Sequence, residues 1–117
     1  MKTTPKQRGS NFERRVKKWL EERGWTVFRS AGSRSPADLI ALRPGIIVLA
    51  VQCKASHKPV LKKEETAGLL ALQKLGAITL VICRVKHPPY AIKVYELRAD
   101  SKIFETGRLY RNTDWEF

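Results

Sequence analysis

The chain has 117 residues, of which 43% are hydrophobic, and this is enough for one folded domain with one core. Lysine and arginine number 23 against 11 aspartate and glutamate, which gives a formal net charge of +12. This charge favours a polyanion, and nucleic acid fits better than a membrane surface because no basic helix with a strongly apolar face stands out. No apolar run approaches the roughly 20 residues of a membrane span, and residues 1–10 lack the apolar segment of a secretory signal.

The first 29 residues predict a basic arm, a helix and a strand. Residues 1–9 are polar and basic, so we expect a mobile arm near phosphates. A helix is predicted to begin at Ser10, because Ser10 and Glu13 have the spacing of a capping box. Gly24 is predicted to end it, and residues 25–29 alternate as a strand does. The apolar stripe of the helix consists of Phe12, Val16, Trp19 and Leu20.

Three features of this part have both a structural and a functional interpretation. Glu13 lies at the edge of the apolar stripe and either completes the capping box alone or faces a site. The basic residues between 14 and 18 form either a solvated face or a set of phosphate contacts. The hydroxyl-rich loop 30–36 has Arg29 and Arg34 at its flanks, and is either an ordinary connection or a loop that faces phosphate.

A predicted β-hairpin occupies the centre of the chain. The apolar runs 39–42 and 46–51 are separated by a Pro-Gly turn at residues 44–45. With this turn, Asp38 is expected to lie roughly across from Val51. Gln52 and Lys54 are two residues apart, so they share one face of the strand. Asp38, Gln52 and Lys54 are therefore predicted to converge at one end of the hairpin.

The second half of the chain predicts one helix and two strands. After a basic loop at 55–63, a helix is predicted over residues 64–75, ended by Gly76, with Leu69, Leu72 and Leu75 on its buried face. Residues 77–83 predict a buried strand and residues 90–97 an edge strand, while 98–117 are assigned no element. The predicted order is α-β-β-β-α-β-β in one domain. Two cysteines, Cys53 and Cys83, are predicted to be buried free thiols in a reducing cytoplasm.

The hairpin end has the chemistry of a metal-dependent phosphodiesterase. Asp38 is an anionic ligand for Mg²⁺, and the Gln52 side-chain oxygen and the Cys53 backbone carbonyl are neutral ones. Glu13 is a candidate for binding through water or for holding a second ion, and Lys54 for orienting the attacking water or offsetting charge on the phosphate. The structural alternative is an ion pair between Asp38 and Lys54, which leaves Gln52 unexplained.

Four short motifs resemble those of one family. Gly9-Ser10-x-x-Glu13-Arg14, Arg29-Ser30-x-Gly32-Ser33, Asp38-Leu39-Ile40-Ala41 and Gln52-x-Lys54 are similar, in order and spacing, to the archaeal-type Holliday junction resolvases (Hjc) and their phage relatives in the PD-(D/E)XK nuclease superfamily. The resemblance runs from about residue 9 to residue 97. It implies an α/β, restriction-endonuclease-like core with a central mixed β-sheet flanked by helices, forming a single nuclease domain over 1–117.

The resemblance also implies an activity and its residues. It implies a homodimeric, Mg²⁺-dependent endonuclease that cuts two opposing strands of a four-way DNA junction, with Mn²⁺ as a substitute, in the cytoplasm (that of the host for a viral member). Glu13, Asp38, Gln52 and Lys54 fall on catalytic or metal positions, and Ser33 falls near the scissile phosphate. The candidates for DNA contact are Arg14 and Arg29, by resemblance, and Arg34, Lys58 and Lys62, by charge.

Gln52 is the departure from the family pattern, since most members carry glutamate there. An amide removes one negative charge from the metal site and leaves two rival interpretations open. One is another PD-(D/E)XK nuclease, of the restriction or repair type, that cuts linear duplex DNA. The other is a basic DNA-binding module without catalysis.

Overall fold

The computed structural model describes residues 4–30, 36–45, 47–85, 90–100 and 102–111. These residues form two helices and six strands, in the order α1 (Pro5–Glu21), β1 (Thr26–Arg29), β2 (Leu39–Arg43), β3 (Ile47–Lys54), α2 (Lys63–Lys74), β4 (Ile78–Arg84), β5 (Tyr90–Leu97) and β6 (Ile103–Arg111). Neither described helix is both long and apolar enough to cross a bilayer.

The six strands form one mixed sheet whose spatial order is the chain order. Neighbouring strands are antiparallel except for β3 and β4, which are parallel. A parallel pair cannot be joined by a tight turn, so α2 makes the crossover between these two strands. The predicted α/β class, with a mixed sheet flanked by helices, is confirmed.

The two helices cover different parts of the sheet. Helix α1 packs on β1, β2 and β3, and helix α2 packs on β3 and β4. Successive residues of β3 point to opposite faces, so Leu49 and Val51 join the core around α1 while Ala50 joins the core around α2. Gln52, two residues after Ala50, therefore lies on the α2 face at the end of the strand.

Helix α1 begins earlier than predicted. Its N-cap is Thr4, whose side chain forms a capping box with Gln7, and Pro5 occupies the first turn. The predicted start at Ser10 is thus wrong, and residues 5–9 of the predicted mobile arm are helical; residues 1–3 lie outside the described part. The apolar stripe begins only at Phe12, so periodicity located the buried part of the helix and missed its first two turns. The four predicted stripe residues are all buried.

Helix α2 matches its prediction except at its end. Leu69 is fully buried, but Leu75 is 85% exposed and does not belong to the buried face. The helix ends at Lys74, and Leu75 has a non-helical C-cap conformation that turns it away from the stripe. Gly76 follows with φ +104°, a conformation that glycine adopts easily, as expected of a stop signal.

The C-terminal part carries a strand that the sequence did not predict. Strand β6 pairs with β5, so β5 is an interior strand and the predicted edge strand is wrong. The pairing has irregular register between Tyr90 and Ile92 and between Lys93 and Tyr95. A bulge interrupts the regular alternation of side chains by which a strand is recognised in a sequence. The position of β6 is set by its pairing with β5. Residues 112–117 of the predicted tail lie outside the described part.

The two cysteines are free thiols, with Cys83 buried and Cys53 half-buried. Both lie at the end of adjacent parallel strands, where Cys53 pairs with Ile82 and Cys83 with Lys54. They therefore sit close to the predicted site, and Cys53 supplies it with a backbone N–H group.

Candidate functional site at the end of the central hairpin

The register of the β2–β3 hairpin sets the position of Asp38. Leu39 pairs with Val51, so Asp38 lies level with Gln52, one residue beyond the predicted position. The offset arises because Arg43 pairs with Ile47, which places three residues in the turn. The Asp38 N–H donates to the Val51 carbonyl at 3.0 Å, and its own carbonyl accepts from Ser30 N–H at 2.9 Å. The backbone of Asp38 is thus held on both sides.

The Asp38 carboxylate lies against the backbone of β3. Its Oδ2 accepts the N–H of Cys53 at 2.9 Å, which puts it beside the peptide that links Gln52 to the following residues. Burial raises the pKa of Asp38 to about 6. The Cys53 hydrogen bond lowers it, while the charges of Glu13 and Glu65 raise it. Two further carboxylates are therefore near enough to affect its ionisation.

Gln52 and Lys54 both contact Glu65, a residue that the sequence prediction missed. Glu65 lies in the first turn of α2. The Gln52 amide Nε2 donates to Glu65 Oε2 at 2.7 Å, and Lys54 Nζ lies 2.8 Å from both carboxylate oxygens. The described ion pair at this strand end joins Lys54 to Glu65, not to Asp38. The only sequence signal was an acidic pair at the start of a helix that directly follows the basic loop.

The ionisation of Glu65 is favoured by its partners. Burial by itself raises the pKa of Glu65, but hydrogen bonds from Lys54 and from the Lys62 N–H, together with the charges of both lysines, bring it below its ordinary value. The Lys62 N–H donates to Oε1 at 2.7 Å, as the capping box of α2 requires. Glu65 is thus a negative charge at neutral pH, held by three donors.

Glu13 lies in the middle of α1 and caps nothing. Its Oε2 accepts from Arg29 Nε at 3.1 Å, and Arg29 Nη2 donates to Ser10 Oγ at 2.6 Å. The structural alternative, in which Glu13 only completes a capping box with Ser10, is therefore wrong because the helix begins at Pro5. Arg29, which is also a predicted DNA-contacting residue, thus ties β1 to the predicted metal-binding Glu13.

The close approach of α2 to the sheet depends on Gly68. A Cβ added at Gly68 would meet Cα and Cβ of Pro36 at 3.0 Å and the Pro36 carbonyl at 3.2 Å. Pro36 begins the described segment that carries Asp38. Glu65 is three residues before Gly68 and therefore lies on the same side of the helix. The glycine thus lets the first turn of α2 lie over the strand end.

The donor set of the site is mixed. Among the described residues, no three His, Cys, Asp or Glu side chains gather as a metal-binding group by themselves. Asp38 contacts the backbone of Cys53, and Gln52 is the preceding residue of β3. Oxygen donors of carboxylate, amide and carbonyl type suit Mg²⁺. The residue types therefore fit a hard divalent cation whose ligands include neutral oxygens.

The predicted DNA-contacting residues in the described part of the chain differ in how exposed they are. Arg14, Lys58 and Lys62 are exposed, and the side chain of Arg29 is 30% exposed beside Glu13. Lys62 is the N-cap residue of α2, and its backbone N–H donates to Glu65, the partner of Lys54. Ser33 and Arg34 lie outside the described residues. The exposed cations offer positions for a phosphate backbone close to the carboxylate site.

Three comparisons relate the chain to known proteins. The family model of the archaeal Holliday junction resolvases (Hjc) matches residues 4–111. A crossover junction endodeoxyribonuclease Hjc of Methanocaldococcus jannaschii is 42% identical over 71 residues, which are 59% of this chain and 52% of that protein. The match thus spans about half the length of this relative. The structure of Archaeoglobus fulgidus Hjc, a Holliday junction resolvase, aligns with a TM-score of 0.61 at 23% identity, over 85% of this chain and 84% of that one, and shows the same fold.

Proposed function

Because the chain belongs to the archaeal Holliday junction resolvase family, we propose that it is a Mg²⁺-dependent endonuclease that resolves four-way DNA junctions by paired phosphodiester cuts. One observation carries this proposal beyond the family match. The carboxylate of Asp38 accepts the N–H of Cys53, the residue between Gln52 and Lys54 at the end of β3. Asp38, Gln52 and Lys54 bring a carboxylate, an amide and an ammonium group to the same strand end, and such groups suit a cation and a phosphate.

The reaction is the hydrolysis of a phosphodiester. The oxygen of a water molecule bonds to phosphorus, the bond from phosphorus to one ester oxygen breaks, and that oxygen takes a proton. A bound divalent ion supplies Lewis acidity to the phosphate and to the attacking water. Asp38 and the oxygen of Gln52 would hold this ion, with the Cys53 carbonyl as a further ligand, and Glu13 would bind through water. Mn²⁺ is expected to substitute for Mg²⁺, whereas Ca²⁺ should support binding without turnover.

The cationic residues of the chain position the DNA. Lys54 carries its ammonium at the site and offsets negative charge on the phosphate that is attacked. Arg14, Lys58 and Lys62 are exposed and contact neighbouring phosphates, a role that Arg34 and Ser33 would share from the loop before Asp38. No base-reading helix motif is evident, so selection would come from junction shape. Free thiols at Cys53 and Cys83 support a cytoplasmic location.

The decisive experiment compares two substrates of the same sequence, a four-way junction and a linear duplex, with and without Mg²⁺. We expect cutting of the junction with Mg²⁺, none in excess EDTA, and little cutting of the duplex. Asp38→Asn should abolish cutting and keep junction binding. Equal cutting of the duplex would favour a restriction or repair nuclease, and binding without cutting would favour the non-catalytic module.

Asp100→Asn is the matched control. Asp100 is exposed and accepts the Lys102 N–H in the turn between β5 and β6. This turn lies at the other end of the sheet, because β5 pairs near it with the start of β4 whereas Lys54 pairs near the end of β4. The substitution removes the same charge as Asp38→Asn, so activity at the wild-type level is expected.

Two cuts on opposing strands need two sites, and a two-fold homodimer would supply them at a fixed separation. Light scattering at micromolar concentration should give twice the chain mass of 13.4 kDa. A plasmid with one cruciform should be linearised more often than nicked. A monomer that only nicks would contradict the dimer.

A further inference from the structure

The polar residues at the end of β3 leave the proposed site short of negative charge. Asp38 contributes one negative charge and Lys54 one positive charge, while Gln52 is neutral. A divalent cation bound only by these three would find no net negative charge to offset its own. Because cation affinity rises with the number of charged ligands, such a site would bind Mg²⁺ poorly.

Glu65 is placed where it corrects this deficit. Its Oε2 lies 2.7 Å from the amide nitrogen of Gln52, so a carboxylate oxygen stands one hydrogen bond from the end of the residue-52 side chain. Its side chain is 20% exposed, which leaves it open to a ligand from solvent. Its charge also reaches Asp38, since it contributes to the electrostatic environment of that carboxyl group.

The contact fixes the orientation of Gln52 as well. An amide donates through nitrogen and accepts through oxygen. Because the nitrogen of Gln52 donates to Glu65, its oxygen points in a different direction within the amide plane and remains an acceptor. Gln52 is 8% exposed, so this orientation is held by packing as well as by the hydrogen bond. Glu65 and Gln52 together thus present one anionic and one neutral oxygen.

Helix capping does not by itself account for Glu65. The cap uses Oε1, which accepts the Lys62 N–H, and a glutamine would serve that purpose equally. The second oxygen, Oε2, is directed at Gln52 and Lys54. The neighbouring Glu64 also lies in the first turn of α2 and is exposed. The helix therefore has an acidic first turn without Glu65, and the carboxylate at position 65 serves the strand end.

We propose that Glu65 is the second carboxylate that binds the divalent cation directly, acting with Asp38 in place of a carboxylate at position 52, while Glu13 acts through water. This inference rests on the proposed function. The close contact of Gly68 with Pro36 holds α2 against the segment that carries Asp38, so the two carboxylates approach from different elements. The charge of the site then comes from Asp38, directly before β2, and from Glu65 in α2.

The test is the affinity of the full-length chain for Mn²⁺, measured by the electron paramagnetic resonance signal of the free ion, alongside junction cleavage. Glu65→Gln keeps the capping acceptor and removes only the charge. It should weaken Mn²⁺ binding at least about tenfold, as Asp38→Asn should. Glu64→Gln, one residue away on the same turn, should leave the affinity unchanged. Thermal unfolding checks that each variant is folded, and Glu65→Ala, which also removes the charge, replaces Glu65→Gln if that variant is not.

The exchange of the two side chains is the sharper test. Gln52→Glu combined with Glu65→Gln keeps the pair in contact and the total charge constant, so it should recover both Mn²⁺ affinity and cleavage relative to Glu65→Gln. Wild-type Mn²⁺ affinity in Glu65→Gln, while Asp38→Asn weakens binding, would overturn the role of Glu65 and leave the nuclease proposal intact. Reduced cleavage with unchanged Mn²⁺ affinity would make Glu65 only a positioning residue for Lys54. A wild-type chain that neither binds Mn²⁺ nor cuts would defeat the proposed function itself.

Discussion

Arg29 on β1 contacts Glu13 on α1 through two nitrogen atoms. Its Nη2 lies 3.0 Å and its Nε 3.1 Å from the same carboxylate oxygen. A partly exposed ion pair of this kind contributes below about 1 kcal/mol to stability. The pair therefore connects the two elements but contributes little to the stability of their packing. Burial is the main cause of the raised pKa of Asp38 and the charge of Glu13 raises it further, so the pair borders the candidate site.

The first prediction follows from this pair. Arg29→Gln should change the free energy of unfolding by less than about 1 kcal/mol, because the pair is partly solvated. Junction cleavage should fall by a much larger factor, because a phosphate contact and the partner of Glu13 are lost together. Chemical denaturation and a cleavage time course measure the two effects. Lys17→Gln breaks another partly exposed pair of α1, with Glu21 at 3.0 Å, and should leave cleavage unchanged. Equal effects of the two variants would contradict the prediction.

The second prediction concerns pH. Burial raises the pKa of Asp38 from 3.8 to about 6 in the folded chain, so the folded state takes up this proton before the unfolded state does. The contribution of Asp38 to stability is therefore greatest at low pH and is lost as pH rises through about 6. In metal-free buffer, the wild type should gain stability relative to Asp38→Asn when pH falls from about 7 to about 5. Thermal unfolding at several pH values measures this difference.

Cleavage should depend on pH in the opposite direction. Only the ionised Asp38 binds a cation, so the rate at limiting Mg²⁺ should rise with pH through the region near 6. The pKa of Glu65 lies below its ordinary value, so Glu65 is already charged in this range and does not contribute to the rise. A rate that is constant from about pH 5 to about pH 7 would contradict the assignment.

The third prediction tests the approach of α2 to the sheet. Gly68→Ala places a methyl group 3.0 Å from Pro36, so the helix and the Asp38 segment must move apart. We expect a loss of about 1–3 kcal/mol, although alanine favours helix more than glycine does. Gly9→Ala in α1 is the matched control, since no atom lies within 4 Å of its added Cβ. That variant should gain about 0.5–1 kcal/mol. A stabilised Gly68→Ala would contradict the close packing.

The fourth prediction concerns salt. Because the chain has a formal net charge of +12, its affinity for the junction should fall steeply as salt concentration rises. A plot of the logarithm of the binding constant against the logarithm of the salt concentration should fall with a slope of about 0.9 per neutralised phosphate. Arg14→Gln and Lys58→Gln should each reduce this slope by about one. Lys74→Gln removes an exposed charge at the far end of α2 and should leave the slope unchanged. An affinity that is the same at low and physiological salt would contradict a phosphate-based interface.

Local patterns in the amino-acid sequence were enough to predict several elements of this protein. The apolar spacing from Phe12 to Leu20 located the buried face of α1, and the runs on either side of Pro44-Gly45 located the hairpin. The alternation of side chains placed Gln52 and Lys54 on one face, because a strand repeats every two residues. Charge and motif spacing together were enough to identify the family.

The residues that complete the site from distant parts of the chain are brought together by long-range packing and strand pairing. Glu65 meets Lys54 and Gln52 because the parallel pairing of β3 and β4 forces a crossover helix back over the strand end. The acidic pair at the start of α2 does not by itself distinguish Glu65 from Glu64. The sequence prediction missed strand β6 for the same reason, because β6 is placed by its pairing with β5 and not by a pattern in its own residues. The start of α1 at Pro5 depends on a cap that lies before the apolar stripe. Long-range contacts such as these are set by packing and pairing, whereas sequence periodicity reports only which face of an element is buried.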